Sequence, residues 1–212
     1  MTLVNFILLV LIAVLSYCLG AVNGAILISQ AFYKKDIRDF GSGNAGMTNM
    51  LRNFGAVAAL GVVGVDVLKS VIAILLGGWL FGLADHPEVG KLFAGFCLML
   101  GHIFPIYYGF KGGKGVLCGG VSMLMFDWRV GLIVLAAFAA VVFFSRYVSL
   151  GSIVSAVAFP VITLIFHREI TIIILAVLCG VLVIIKHKDN INRLLTGREP
   201  TLQFKGKKTS SN

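Results

Sequence analysis

Charge is scarce in this chain. Asp, Glu, Lys and Arg make up 13% of its 212 residues, and only nine residues are acidic. A soluble domain carries roughly 25% charged residues. With 58% hydrophobic residues and a mean hydropathy of +0.98, a water-soluble fold of this length has nowhere to hide so much apolar surface. The bilayer must be the solvent for most of the chain. So few carboxylates also speak against a dedicated metal cage built from oxygen ligands, and no metal is expected. The four cysteines, Cys18, Cys97, Cys118 and Cys179, each lie in an apolar stretch, without a C-x-x-C pair or a Cys/His cluster of metal-ligand spacing. They read as reduced, small hydrophobic residues. No repeat suggests the paired halves of a secondary transporter.

Apolar runs are present at about 3–28, 54–82, 92–108, 115–127, 130–145, 152–166 and 169–185. The stretch 116–144 reads as two segments because Asp127-Trp128-Arg129 interrupts it, and two charges beside an interfacial Trp belong at a membrane edge. The expected fold is therefore all-α, a transmembrane helix bundle of about seven spans, several of them short enough to imply tilted or broken helices. No cleavage pattern follows the first apolar run, so residues 3–22 read as a retained helix. A single membrane-embedded domain is expected over 1–200, followed by a polar, basic and disordered tail at 201–212.

Lys and Arg set the expected orientation. Numbering the connections alternately with the amino terminus outside, one face and the tail collect Lys34, Lys35, Arg38, Arg52, Lys111, Lys114, Arg146, Lys186, Lys188, Arg193, Arg198, Lys205, Lys207 and Lys208. The other face holds only Lys91, Arg129 and Arg168. This bias places the amino terminus outside and the carboxyl terminus in the cytoplasm. The net charge of +9 is then a topology signal, and no motif for RNA or DNA accompanies it.

Three connections on the basic face are unusual. The first, Gly41 to Arg52, reads GSGNAGMTNMLR. Its glycines let backbone amides turn inward while Ser42, Asn44, Thr48, Asn49 and Arg52 supply polar groups. It reads either as an anion cradle at a helix start or as a loop that is polar because water is there. The second runs from Gly101-His102 through Gly109-Phe110-Lys111-Gly112-Gly113-Lys114-Gly115. Two lysines among glycines at a helix entrance suit a phosphate. It is no Walker A loop, since Tyr108 stands at the first glycine and Gly115 at the Ser/Thr position. The third, Ser145 to Ile153, puts Ser149 and Ser152 three apart, on one face if helical. Asp66 and Lys69, three apart inside the second span, can neutralise each other. His187-Lys188-Asp189-Asn190 closes the seventh span.

Together these motifs describe a site for an anionic, phosphorylated ligand that meets the bilayer. There is no G-x-S-x-G, no H-E-x-x-H and no paired carboxylates within one motif. An H-x-x-x-x-D pattern is also missing, because Lys91, Tyr107, Ile172 and Asn192 stand five places after the four histidines. Its absence removes the signature of acyl transfer from acyl-CoA or acyl carrier protein.

The segments SGNAGMTNMLR, HIFP-x-x-x-GFKGGKGV, SLGSI and HKDNI-x-RLL-x-G-x-E resemble, in order and spacing, the bacterial PlsY family of acyl-phosphate:glycerol-3-phosphate acyltransferases. The resemblance runs from the first helix to Glu199. Ala45 replaces a usual proline, and Leu117-Cys118 replaces Ala-Thr, which removes a hydroxyl. The resemblance implies seven spans and an active site at the cytoplasmic face of the bacterial inner membrane. It also implies acyl transfer from acyl phosphate to the 1-hydroxyl of glycerol 3-phosphate, giving lysophosphatidic acid and phosphate. By position it assigns Ser42, Thr48, Asn49 and Arg52, with Gly43 and Asn44 in the same loop, to phosphoryl oxygens or the acyl donor. Lys114, the amides of Gly112 and Gly113, and Lys111 would bind phosphate. His102, Ser149, Ser152 and Asn190 match the remaining active-site positions. Direct attack of the hydroxyl is expected, with either His102 or a substrate phosphate oxygen as base. A monomer is expected that uses no cofactor and contacts lipid. The alternatives are a transporter of an organic phosphate, which predicts polar groups reaching both faces, and a structural helix bundle, which leaves the glycine-rich basic loops unexplained.

Overall fold

The computed structural model describes residues 3–202, so most of the expected tail at 201–212 lies outside the described residues. Regular structure within them is all helical. The first apolar run is two helices, α1 (Leu3–Ala21) and α2 (Gly24–Tyr33). They part at Asn23, whose side chain accepts from the backbone N–H groups of Ala25 and Ile26 at 3.0 and 3.1 Å and so starts α2. Helix α3 (Met47–Gly82) bends at Gly55, where φ is 86° and ψ is −179°, a conformation that residues with a Cβ resist. The kink falls where the second apolar run begins, so the first turns of α3 belong to the polar loop and the remainder to the span.

Helix α4 (Pro87–Ile103) is followed by the glycine-rich loop, then α5 (Val116–Phe126), α6 (Trp128–Ser145), α7 (Val148–Phe166), α8 (Ile170–Lys186) and α9 (Lys188–Leu195). All seven apolar runs are helical, yet not all can cross a bilayer alone. Five segments are long and apolar enough: Leu3–Tyr33, Met47–Gly82, Pro87–Tyr108, Trp128–Ser145 and Val148–Phe166. The pair α8 and α9, bent by 59°, counts as a sixth when taken as one span. Helix α5 has 11 residues and reaches only about 16 Å at ~1.5 Å per residue, roughly half of a hydrocarbon core of ~30 Å. It is short because Asp127 ends it: the carboxylate caps α6, accepting from Arg129 N at 2.9 Å, and also meets His167 Nε2 at 2.9 Å.

Helix α4 is central, packing against α1, α3, α5 and α8. Apolar burial supplies little association energy between helices in lipid, so backbone proximity matters. At the α1–α4 crossing, a Cβ on Gly20 would come within 2.1 Å of Leu98 O, and one on Gly101 within 2.1 Å of Tyr17 O. The crossing depends on these two glycines and holds the carboxyl end of α4, with His102, against the α1–α2 break. The main core joins Leu92, Leu98, Met99, Cys118, Phe126, Val130, Phe159 and Ala176.

Candidate active site

A cavity of about 860 Å³ opens where the loop before α3, the loop before α5, the start of α7 and the α8–α9 bend meet. Its walls change character with depth. Polar residues from all four segments form one end, including Ser42, Arg52, Lys114, Ser149, Asn190 and Glu199. The other end is apolar, between Leu92, Val134, Leu135, Phe138 and Phe159. Such a shape takes an amphiphile, with a charged head at one end and a hydrocarbon tail at the other.

At the mouth the Lys114 ammonium donates to Asn190 Oδ1. Asn190 Nδ2 donates to Glu199 Oε1 at 2.6 Å, Ser149 Oγ donates to the same oxygen at 2.6 Å, and Arg193 Nε donates to Oε2 at 2.7 Å. Burial lowers the pKa of Lys114 to about 8, helped by repulsion from Arg193 and opposed by Glu199 and Asp189. Burial pushes the Glu199 carboxyl up, but the hydrogen bonds from Ser149, Asn190 and Arg193 outweigh it and hold the group below its ordinary value. Glu199 is thus an ionised brace across α7, α9 and the segment after α9, whose Leu202 N donates to Arg146 O at 2.8 Å. Arg52 lines the same cavity and makes no hydrogen bond or ion pair among the described residues.

Asn49 plays a different part. Its Nδ2 donates to the carbonyl oxygens of Ile37, Phe40 and Asn44 at 3.2, 2.9 and 3.1 Å. Its Oδ1 accepts from Ser42 N at 3.2 Å and Asn53 Nδ2 at 2.9 Å. A side chain so committed shapes the loop around Ser42 and Thr48. Arg38 ties this loop to the next one, donating to Tyr108 O and Lys111 O at 2.7 and 3.2 Å while pairing with Asp36 at 2.7 Å.

Deeper, Asp66, Lys69 and His102 meet out of solvent. Lys69 Nζ lies 2.8 Å from Asp66 Oδ1 and 3.0 Å from His102 Nδ1, and donates to Gly20 O and Val22 O at 3.1 and 2.7 Å. The ligating atoms of Asp66, His102 and Cys118 all lie within 4.8 Å of one another. That spacing alone would suit a metal, but the Lys69 ammonium stands beside both Asp66 and His102, so the donor set does not fit a second cation.

Of the residues singled out in the sequence, Ser42, Asn44, Thr48, Asn49, Arg52, His102, Lys114, Ser149, Ser152 and Asn190 line this cavity. Gly43, Lys111 and Gly112 line a separate one of about 530 Å³ with Asp36, Arg38 and Tyr108. Gly113 packs on the His102 ring. Ser152 Oγ donates back to Val148 O at 3.0 Å. Glu199, Arg193 and His187 carry no role legible in the sequence alone, although all three stand inside the last motif. Asp66 and Lys69 pair by their spacing, but their union with His102 leaves no local pattern, because 33 residues separate Lys69 from His102.

A bilayer-spanning helix bundle with a cation-lined mouth on an apolar cleft is the architecture of a membrane enzyme that handles a phosphorylated lipid or its precursor. The chain belongs to the glycerol-3-phosphate acyltransferase family, whose model matches residues 10–197, and it is a membrane acyltransferase. It is 40% identical over 200 residues to the glycerol-3-phosphate acyltransferase of Thermoanaerobacter pseudethanolicus, covering 94% of this chain and 97% of that one. The enzyme of the same name from Finegoldia magna is 36% identical over 199 residues, covering 93% and 98%. The crystal structure of PlsY, an integral membrane glycerol 3-phosphate acyltransferase, in its glycerol 3-phosphate form superposes with a TM-score of 0.83 at 30% identity, covering 92% of this chain and 96% of that one. Its lysophosphatidic acid form gives 0.80 at 29% identity.

Proposed function

We propose that this acyltransferase uses acyl phosphate as its donor, acylating the 1-hydroxyl of glycerol 3-phosphate at the cytoplasmic face of a bacterial plasma membrane to release lysophosphatidic acid and phosphate. The observation that carries this reading is that one cavity is lined both by Lys114, Arg52 and Ser42 and by the apolar Leu92, Val134, Phe138 and Phe159. Acyl phosphate and lysophosphatidic acid both pair a dianionic head with a long chain, and the walls match that division. The basic bias of the connections that carry the mouth supports the cytoplasmic assignment. A phosphorylated donor also accords with the absence of a His-Asp motif.

In this reading Lys114 and Arg52 hold phosphoryl oxygens, aided by Ser42, Thr48 and the backbone amides of the loop that Asn49 shapes. Asn190 and Glu199 hold Lys114 and Ser149 in place. The mixed anhydride is already activated, so the protein needs only to align the two substrates and stabilise charge. The glycerol hydroxyl oxygen attacks the acyl carbonyl carbon, the carbonyl–phosphate C–O bond breaks, and phosphate leaves. The hydroxyl proton passes to a phosphate oxygen, and no acyl-enzyme forms.

The test follows phosphate release by purified protein in lipid. Release should require both acyl phosphate and glycerol 3-phosphate, and acyl-CoA should be inert as donor. Equal turnover of acyl-CoA would overturn the donor assignment, whereas no release from folded protein would favour a transport role for the site.

A further inference from the structure

The deep cluster determines which nitrogen of His102 carries its proton. An ammonium has three protons and no lone pair. Within 3.1 Å of Lys69 Nζ stand Asp66 Oδ1, Gly20 O, Val22 O and His102 Nδ1. Three of these are oxygens that can only accept from it, and Asp66 Oδ1 also accepts from Gly24 N at 3.3 Å. His102 Nδ1 is 3.7 Å from Asp66 Oδ1, too far for a hydrogen bond. A proton on Nδ1 would therefore find no acceptor and would face the ammonium at 3.0 Å. An imidazolium would add a second positive charge at that distance. The lone pair belongs on Nδ1 and the proton on Nε2, following the rule that one ring nitrogen's hydrogen bond sets the state of the other.

Nε2 lies on the far edge of the ring, toward the phosphate loop. A Cβ on Gly113 would come within 2.3 Å of it, so a glycine at this place lets the ring edge reach the loop that carries Lys114. His102 lines the cavity, and Nε2 has no hydrogen-bond partner among the described residues.

We propose that Lys69 is a positioning residue that fixes His102 as its Nε2–H tautomer, making His102 a hydrogen-bond donor to the reacting acyl phosphate instead of a general base. The tautomer rests on the cluster alone, while the donor role rests on the acyltransferase reading above. As the hydroxyl attacks and the C–O bond to phosphate breaks, negative charge grows on the carbonyl and phosphoryl oxygens. The Nε2–H donates to that charge and stays on the ring throughout. The Asp66–Lys69 pair acts through His102 without touching substrate.

Protein labelled with ¹⁵N-histidine, in lipid nanodiscs, reads the tautomer directly, with H102Q used to assign the signal. The expected spectrum shows a bare, pyridine-type Nδ1 and a protonated Nε2 at neutral pH. The D66N/K69M double variant, which strands no buried charge, should shift protonation toward Nδ1. A protonated Nδ1 in the parent, or a pattern unchanged in the double variant, overturns the role of Lys69. If the double variant does not fold, the parent spectrum decides. In the phosphate-release assay H102Q, whose amide N–H can stand near Nε2, should retain about ten- to a hundredfold more activity than H102A. H102Q no better than H102A overturns the donor role. Failure of the acyltransferase reading looks different, since the parent would release no phosphate while its tautomer stayed as described.

Discussion

The mouth of the cavity and the buried cluster of Asp66, Lys69 and His102 at its side are both built from charged residues, but they are built differently. At the mouth, Lys114, Arg193 and Arg52 are partly or fully open, and the structure leaves Arg52 unpaired and Lys114 with one side-chain partner. In the cluster, Asp66, Lys69 and His102 are only 2–4% exposed, and the ammonium is ringed by four acceptors. A site that binds a dianion needs donors in reserve, which the mouth has. A saturated ion pair has none to offer and serves to fix geometry. The same residue types thus do opposite work, and the difference is read from the number of committed bonds.

The contrast is broken most forcefully in the buried cluster. Removing one partner of a buried pair leaves an uncompensated charge, so K69M or D66N alone should lose about 3–5 kcal/mol of stability. The D66N/K69M double variant should lie much closer to the parent in unfolding experiments in lipid. If the single variants are as stable as the parent, the cluster is not a saturated ion pair. At the mouth the loss should be functional instead. K114A should lower kcat/KM by about ten- to a hundredfold, the worth of a charge-assisted contact to phosphate, while its stability stays near that of the parent.

The pH profile sharpens the comparison. Lys114 is protonated below about 8 in the folded enzyme, whereas an ordinary lysine keeps its proton to 10.5. Free-enzyme kcat/KM should therefore fall as pH rises through about 8. K114R, whose guanidinium stays charged, should carry its residual activity to higher pH. Stability moves in the opposite sense, because between about 8 and 10.5 the unfolded chain binds more protons at this position and the group makes unfolding costlier as pH rises. A kcat/KM profile that is flat to pH 10 in the parent would remove Lys114 from the phosphate contact. The smallest expected effect lies at the apolar end. Phe159 is 2% exposed, and F159A should shift donor preference toward longer chains by about five- to tenfold, the low end of the ~1–3 kcal/mol that one methylene is worth in an apolar pocket. Chain-length competition measures it.

Much of this was legible in the residues. Hydropathy located all seven apolar segments, and Asp127-Trp128-Arg129 marked a break that the structure places within a residue. The kink at Gly55 leaves only a faint trace in the residues: the second apolar run begins beside it at Phe54, but a lone glycine in an apolar helix does not by itself mark a break. The shortness of α5 was visible, its consequence for crossing less so. The polar loops announced a phosphate site by their composition. What stayed hidden was division of labour. Asn49 reads like any polar loop residue until its five hydrogen bonds are seen. Lys111 and Lys114 look equivalent in sequence, yet only Lys114 faces the main cavity. The union of α3 with His102 is tertiary and leaves no local pattern.

The most direct test of the account is a structure of this protein with a non-hydrolysable acyl phosphonate. The phosphonate should lie within hydrogen-bond distance of Lys114 Nζ, near Arg52 and Ser42, with the chain running inward between Leu92 and Val134 toward Phe159. A phosphonate bound instead in the smaller cavity against Lys111, or a chain lying outside the apolar cleft, would contradict it.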